Sequence, residues 1–192
     1  MRYLPVLVLL PLLAACGRGE VSSGASDITG VMPDLSFRMV RASDGAPVTA
    51  DNYRGKAVLL YFGYTHCPDE CPTTLANLTK ALEGLGARAR NVRVLFVTVD
   101  PQRDTLPLLK AYASSFGPQI DALRGSEDEI ARLARRYRVL YRVAPASEEK
   151  DTEVMHSDST FFFDGSSRAR LVIIRTDNTK TIAADIQRLF RS

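Results

Sequence analysis

Residues 61–72 read YFGYTHCPDECP, and the rest of the chain takes its meaning from this stretch. It sets Cys67 and Cys71 four positions apart, where an apolar strand pattern, Val58 to Phe62, gives way to leucines at helical spacing: Leu75, Leu78, Leu82 and Leu85. The first turn of a helix has N–H groups without intrahelical partners, and Pro72 suits that turn because it lacks one. Thiols placed there feel the positive end of the helix dipole, which favours the thiolate and lowers its pKa. Thiolates serve redox chemistry and metal binding alike. A disulfide with only a stapling role is the weaker alternative, because closing so short a loop removes little entropy from the unfolded chain.

Spacing separates the two chemistries. Thioredoxin-type redox motifs put two residues between their cysteines, whereas here there are three, Pro68, Asp69 and Glu70. Sulfurs one helical turn apart can chelate one ion, and a soft dithiolate suits Cu(I) or Zn(II), with a nearby imidazole able to complete a three-coordinate copper site. The chain has two histidines. His66 directly precedes Cys67 and points away from it on an extended backbone, unless the loop turns it inward. His156 stands just before an expected strand, Ser159 to Phe163, in the sequence Met155-His156-Ser157. A lone histidine is more often a surface residue than a ligand, so its ligation rests on the fold.

Working outward, the run Ala57 to Phe62 is almost wholly apolar, as in a central strand covered on both faces. Val92 to Val99 predicts a second buried strand, and Ile120 to Leu123 a short third. Between them Asp104 or Thr105 can cap a helix with Pro107 in its first turn and Leu108, Leu109, Tyr112 and Phe116 inward. Ser126 caps another helix, carrying Ile130, Leu133, Ala134 and Tyr137 on one stripe. Leu35 to Val40, Asp44-Gly45 and Val48 predict an opening hairpin, and Val139 to Val143 an extended segment. Pro145 to Thr152 reads as a polar loop. Phe161 to Phe163, Asp164-Gly165 and Leu171 to Ile174 predict a closing hairpin, followed by a helix with Ile182, Ile186, Leu189 and Phe190 inward. Strands alternating with helices give an α/β sandwich with a central mixed sheet, and a dithiol at its strand-to-helix junction is the thioredoxin arrangement. In such a sheet the loop entering the Ser159 strand lies opposite the dithiol, so His156 can reach the sulfurs. Thioredoxins carry a cis-proline in that loop. A histidine there favours metal over disulfide exchange.

Length and charge narrow the function class. The 192 residues, 45% hydrophobic and 24% charged, suit one globular domain. The net charge of +3 comes from scattered Lys and Arg without a basic stripe, so nucleic acid is not an expected partner. At the N-terminus, Arg2 precedes an apolar run, Tyr3 to Leu13, that ends in Leu13-Ala14-Ala15-Cys16. It is too short to span a bilayer and has the shape of a signal peptide, with Cys16 placed as in a bacterial lipobox. The expected organisation is a signal peptide over 1–15, a lipid-bearing Cys16, a Gly/Ser-rich flexible tether over 16–30 and a folded domain over 31–192. The expected location is the bacterial cell envelope, facing the periplasm. Two neighbouring cysteines in an exported chain oxidise unless a reductant or a metal protects them.

Three segments in order, YFGYTHCPDECP at 61–72, VDPQRDT at 99–105 and His156-Ser157, resemble the Sco/SenC family of copper proteins. The likeness covers about Phe37 to Phe190. It implies a thioredoxin-like fold with an N-terminal β-hairpin and a central mixed sheet flanked by helices. It also implies one copper, Cu(I) or Cu(II), bound by Cys67, Cys71 and His156, and a role in assembling the CuA centre of cytochrome c oxidase. Partners would be the copper-bearing oxidase subunit and other periplasmic copper or thiol-redox proteins. Many members carry an acidic residue where this chain has Met155, a change that bears on tuning of the site or offers a thioether. Asp100 and Arg103, explained in part by a proline turn, are further candidates for tuning the charge of the cysteine loop. The other readings are a thiol-disulfide oxidoreductase, in which Cys67 attacks and Cys71 resolves, and a domain with an inert disulfide.

Overall fold

The computed structural model describes residues 25–142, 155–156 and 159–190. The expected signal peptide, Cys16, the polar loop 145–152 and Ser157 lie outside them. Met155 and His156 are described by their backbone alone.

Two strands parallel to each other organise the sheet: β4 (Ala57–Gly63) and β5 (Val92–Thr98), in register from Ala57 opposite Val92 to Gly63 opposite Thr98. All seven residues of β4 are buried, as an apolar run without alternation requires. β5 pairs in parallel with β6 (Ile120–Arg124), and β6 pairs antiparallel with β2 (Arg38–Arg41). β2 and β3 (Pro47–Thr49) form the opening hairpin, turning at Gly45 with φ of 71°, a conformation glycine adopts at no steric cost. On the other flank β9 (Thr160–Phe163) runs antiparallel to β4, and β10 (Ala169–Ile173) antiparallel to β9. The expected thioredoxin-like mixed sheet is present, its eight described strands ordered β1 (Ala25–Asp27), β10, β9, β4, β5, β6, β2 and β3.

The outermost strand, β1 (Ala25–Asp27), departs from the expected tether. It pairs antiparallel with β10, Ala25 opposite Ile173, and Ala25 and Ile28 are buried. The folded body therefore begins by Ala25, inside the span read as flexible, because backbone pairing at a sheet edge needs few apolar side chains.

Among the described residues, four α-helices accompany the sheet. α1 (Glu70–Glu83) follows β4, and α4 (Thr179–Leu189) lies against it, the Gln187 side-chain amide donating to the Gly84 carbonyl at 3.5 Å. α2 (Leu106–Ser114) begins at Thr105, whose hydroxyl accepts from the Leu108 N–H. α3 (Glu127–Arg136) begins with the expected cap: Ser126 and Glu129 form a reciprocal capping box. Tyr137, just past α3, packs its ring 5.4 Å from Phe161 and from Phe163. Two expected core positions are exposed instead, Leu108 in the first turn of α2 and Phe190 after α4, and Ile174, expected in the closing hairpin, is exposed one residue beyond β10. Each sits at an element end, where the apolar stripe runs past the surface that covers it. No helix among the described residues is long and apolar enough to cross a membrane.

Candidate metal and thiol centre

The dithiol lies where β4 hands over to α1. Cys67 is in the connecting loop, its N–H donating to the Tyr64 carbonyl at 3.3 Å, and Cys71 is the second residue of α1. The Cys71 N–H donates to the Cys67 sulfur at 3.2 Å, so a helix N-terminal amide already serves the first thiol. Neither cysteine is in a disulfide, and Cys67 is 9% exposed while Cys71 is fully buried. Burial corrects one expectation: it pushes the Cys71 thiol well above the ordinary range, outweighing the hydrogen bonds from the Tyr64 backbone and the Tyr61 side chain that favour the thiolate.

Gly63, the last residue of β4, makes the close approach possible. A Cβ there would stand 2.8 Å from the Cys71 sulfur and 2.6 Å from Cε2 of Phe96. Phe96 in turn packs 5.4 Å from Tyr112 of α2. The Tyr112 hydroxyl is buried without a hydrogen-bond partner among the described residues. Its pKa is raised, first by burial and then by the charges of Cys71, Cys67 and Asp104. This places Tyr112 electrically beside the dithiol.

The loop carrying Cys67 is pinned to the end of β5. Asp104 is fully buried and accepts from the Thr65 N–H at 3.1 Å, the Thr65 hydroxyl at 2.5 Å and the Thr98 hydroxyl at 2.5 Å. Asp104 thus faces inward as an acceptor while Thr105 caps α2. Asp100 is buried at the same end of the sheet, where the Val99 N–H meets the Gly63 carbonyl at 2.8 Å, and it forms an ion pair with Arg103. Arg103 Nη2 is buried with no partner among the described residues.

A cleft of roughly 700 Å³ between Phe37, Thr49 and α3 shares no residue with the dithiol.

The backbone of His156 lies in β8 (Met155–His156), which pairs antiparallel with β7 (Tyr141–Arg142), His156 opposite Tyr141. β9 begins at Thr160, opposite Tyr61 near the cysteine-bearing end of β4. The chain therefore enters β9 at the end of the sheet that carries the dithiol. Among the described residues no three His, Cys, Asp or Glu side chains gather as a metal site. The two thiols supply two soft donors, reduced, one turn apart and sheltered, which fits copper or another thiophilic cation.

Sequence reading found the cysteines but not their supports. Gly63 carried a signal, being a glycine at the end of an otherwise apolar strand. Thr65 and Asp104 lie in the segments 61–72 and 99–105, where Asp104 reads as a helix cap, but their convergence with Thr98 is tertiary and has no local signal.

A reduced dithiol at the strand-to-helix junction of a mixed sheet defines a thioredoxin-like protein. The family model described as SCO1/SenC matches residues 33–191, and the chain belongs to that family. It is 39% identical over 149 residues to the mitochondrial SCO2 homolog of Bos taurus, covering 73% of this chain and 56% of that protein. The chain spans about half the length of the curated relatives it matches. Its fold is similar to copper-bound ScoI of Bradyrhizobium japonicum (TM-score 0.72, 34% identity, 81% of this chain and 98% of that one). It is similar as well to copper-bound yeast Sco1 (TM-score 0.76, 31% identity, 84% and 90%).

Proposed function

We propose that this protein is a copper carrier that holds one copper ion through Cys67, Cys71 and His156 and passes it to the CuA centre of cytochrome c oxidase. The observation that carries the reading is the pair of reduced, sheltered thiols one helical turn apart, in a family whose solved members include copper-bound chains. Copper is cargo. Binding requires both thiols to lose their protons, so loading is coupled to proton release and favoured as pH rises. His156, on the chain that enters β9, supplies the imidazole. Met155, Asp100 and Arg103 tune the site from outside. The protein works at the bacterial cell envelope, held by lipid on Cys16 after removal of residues 1–15 and facing the periplasm. Its partners are the oxidase copper subunit and other periplasmic copper or thiol-redox proteins.

Copper titration of the reduced chain tests this. The parent should bind one equivalent, Cys67→Ser should lose tight binding, and His156→Ala should lower affinity and change the sulfur-to-copper charge-transfer band. An unchanged band in His156→Ala removes that ligand.

A second reading has its own support, the unequal burial of the two sulfurs. Cys67, more exposed and served by the Cys71 N–H, is suited to attack a client disulfide. Cys71 would then displace the mixed disulfide, leaving a Cys67–Cys71 disulfide and two client thiols. A Cys71→Ser variant that traps an oxidase subunit, with copper dispensable, would favour this reductase.

A further inference from the structure

The second histidine is not accounted for by any of this. His66 stands directly before Cys67 at the mouth of the dithiol, and its side chain is 51% exposed. Its Nδ1 lies 3.2 Å from the Thr65 hydroxyl oxygen and 3.7 Å from Oδ1 of the buried Asp104.

Proton accounting fixes what this imidazole offers. The Thr65 hydroxyl has a single proton and lies 2.5 Å from Asp104 Oδ1, a carboxylate oxygen that can only accept. Thr98 keeps the same direction on the other oxygen: its hydroxyl accepts from the Asp100 N–H at 3.0 Å and donates to Asp104 Oδ2. With its proton given to Asp104, the Thr65 oxygen can only accept from His66. The neutral ring therefore carries its proton on Nδ1, and Nε2 keeps an open lone pair on a half-exposed ring. A metal-ligating histidine ordinarily donates its other ring N–H to a fixed acceptor, and here that acceptor is the Thr65 hydroxyl, itself held by the buried Asp104. The arrangement is built beside the first thiol without being part of the three-ligand set.

We propose that His66 is a docking ligand for incoming copper, taking the ion at Nε2 and handing it to Cys67 and Cys71. The ring is half exposed, whereas Cys67 is 9% exposed and Cys71 fully buried, so an ion arriving from solvent meets the imidazole before the sulfurs. The role is transient, because a single exposed imidazole holds copper far less tightly than a dithiolate. The inference rests on the copper reading of the dithiol.

The test uses the full reduced chain in a Cys16→Ser background, so that Cys67 and Cys71 are its only thiols. Stopped-flow mixing with Cu(II), followed by the charge-transfer band, should show His66→Ala loading about tenfold more slowly, within the range over which on-rates vary, while final affinity stays within twofold. An unchanged rate overturns the proposal, and so does a final affinity that falls with the rate. A second measurement stands even if the dithiol takes no copper at all, the result that would sink the carrier reading by itself. In Cys67→Ser/Cys71→Ser, substoichiometric Cu(II) should broaden the His66 imidazole resonances, one of only two sets in the chain, and adding Thr65→Val should weaken that binding by about 10- to 100-fold. His66 resonances that stay sharp, or that Thr65→Val leaves unaffected, overturn the proposal.

Discussion

Gly63 and Cys71 meet so closely that a single methyl group on the glycine would lie 2.8 Å from the cysteine sulfur. The same methyl would reach 2.6 Å from the Phe96 ring, so neither neighbour can retreat without moving the core. Gly63→Ala should destabilise the fold by about 1–3 kcal/mol, the usual cost of overpacking. Urea unfolding measures that loss, and copper titration of the folded variant should show a perturbed site, since the displaced group is a thiol. A variant as stable as the parent would mean that the strand end yields freely.

The two sulfurs should differ in reactivity. Cys71 is fully buried and its thiol is pushed up by that burial, whereas Cys67 is partly accessible. In single-cysteine variants at neutral pH, iodoacetamide should modify Cys67 first, because a rise of one pKa unit already removes about nine-tenths of the reactive thiolate. Mass spectrometry over a time course gives both rates. Equal rates, or a faster Cys71, would contradict the burial order.

Acid should attack the β9–β10 turn. Burial alone would raise the Asp164 pKa, but the N–H groups of Arg168 and Ser166 and the Arg168 guanidinium outweigh it and hold the carboxyl below its usual range. A depressed carboxylate stabilises the fold fully above its unfolded pKa of about 3.9 and loses that contribution as pH falls through the lower folded value. Asp164→Asn should cost about 1–2 kcal/mol at pH 7, a figure reduced for the exposure of Arg168, and progressively less below pH 4. Urea midpoints at pH 7 and pH 3 test the convergence. A gap that stays constant with pH would assign the loss to packing.

Arg138 leaves α3 with φ of 56°, the left-handed region that disfavours side chains. Arg138→Gly should therefore stabilise the protein by about 0.5–1 kcal/mol, visible as a raised melting temperature. A lower melting temperature would show that the arginine side chain contributes more than the backbone strain costs.

What the sequence made legible follows from local physics. The apolar run of β4 and β5, the Ser126 capping box and the cysteine junction are short-range patterns, and each appears where expected. β1 was hidden because Ala25-Ser26-Asp27 is too polar and short to read as a strand, and its pairing with β10 spans almost the whole chain. Asp104 looked like a helix cap, as an Asp beside a Thr does, and only the folded chain shows it turned toward Thr65 and Thr98. The raised Cys71 thiol was likewise unreadable: position along the chain reports the helix dipole, but burial is a property of the fold. His66 looked like a bystander because its hydrogen-bond chain ends on a residue 38 positions away (104 − 66 = 38).

The pairing of β1 with β10 also acts as a ruler. With Ala25 held in the sheet, a lipid anchor at Cys16 would leave nine residue steps (25 − 16 = 9) between the membrane and the folded body. At no more than about 3.6 Å each, the reach is about 30 Å. On the proposed anchoring and carrier role, a body leashed so closely would serve only copper sites within a shallow layer above the bilayer, and its clients would be selected by height before any surface recognises another.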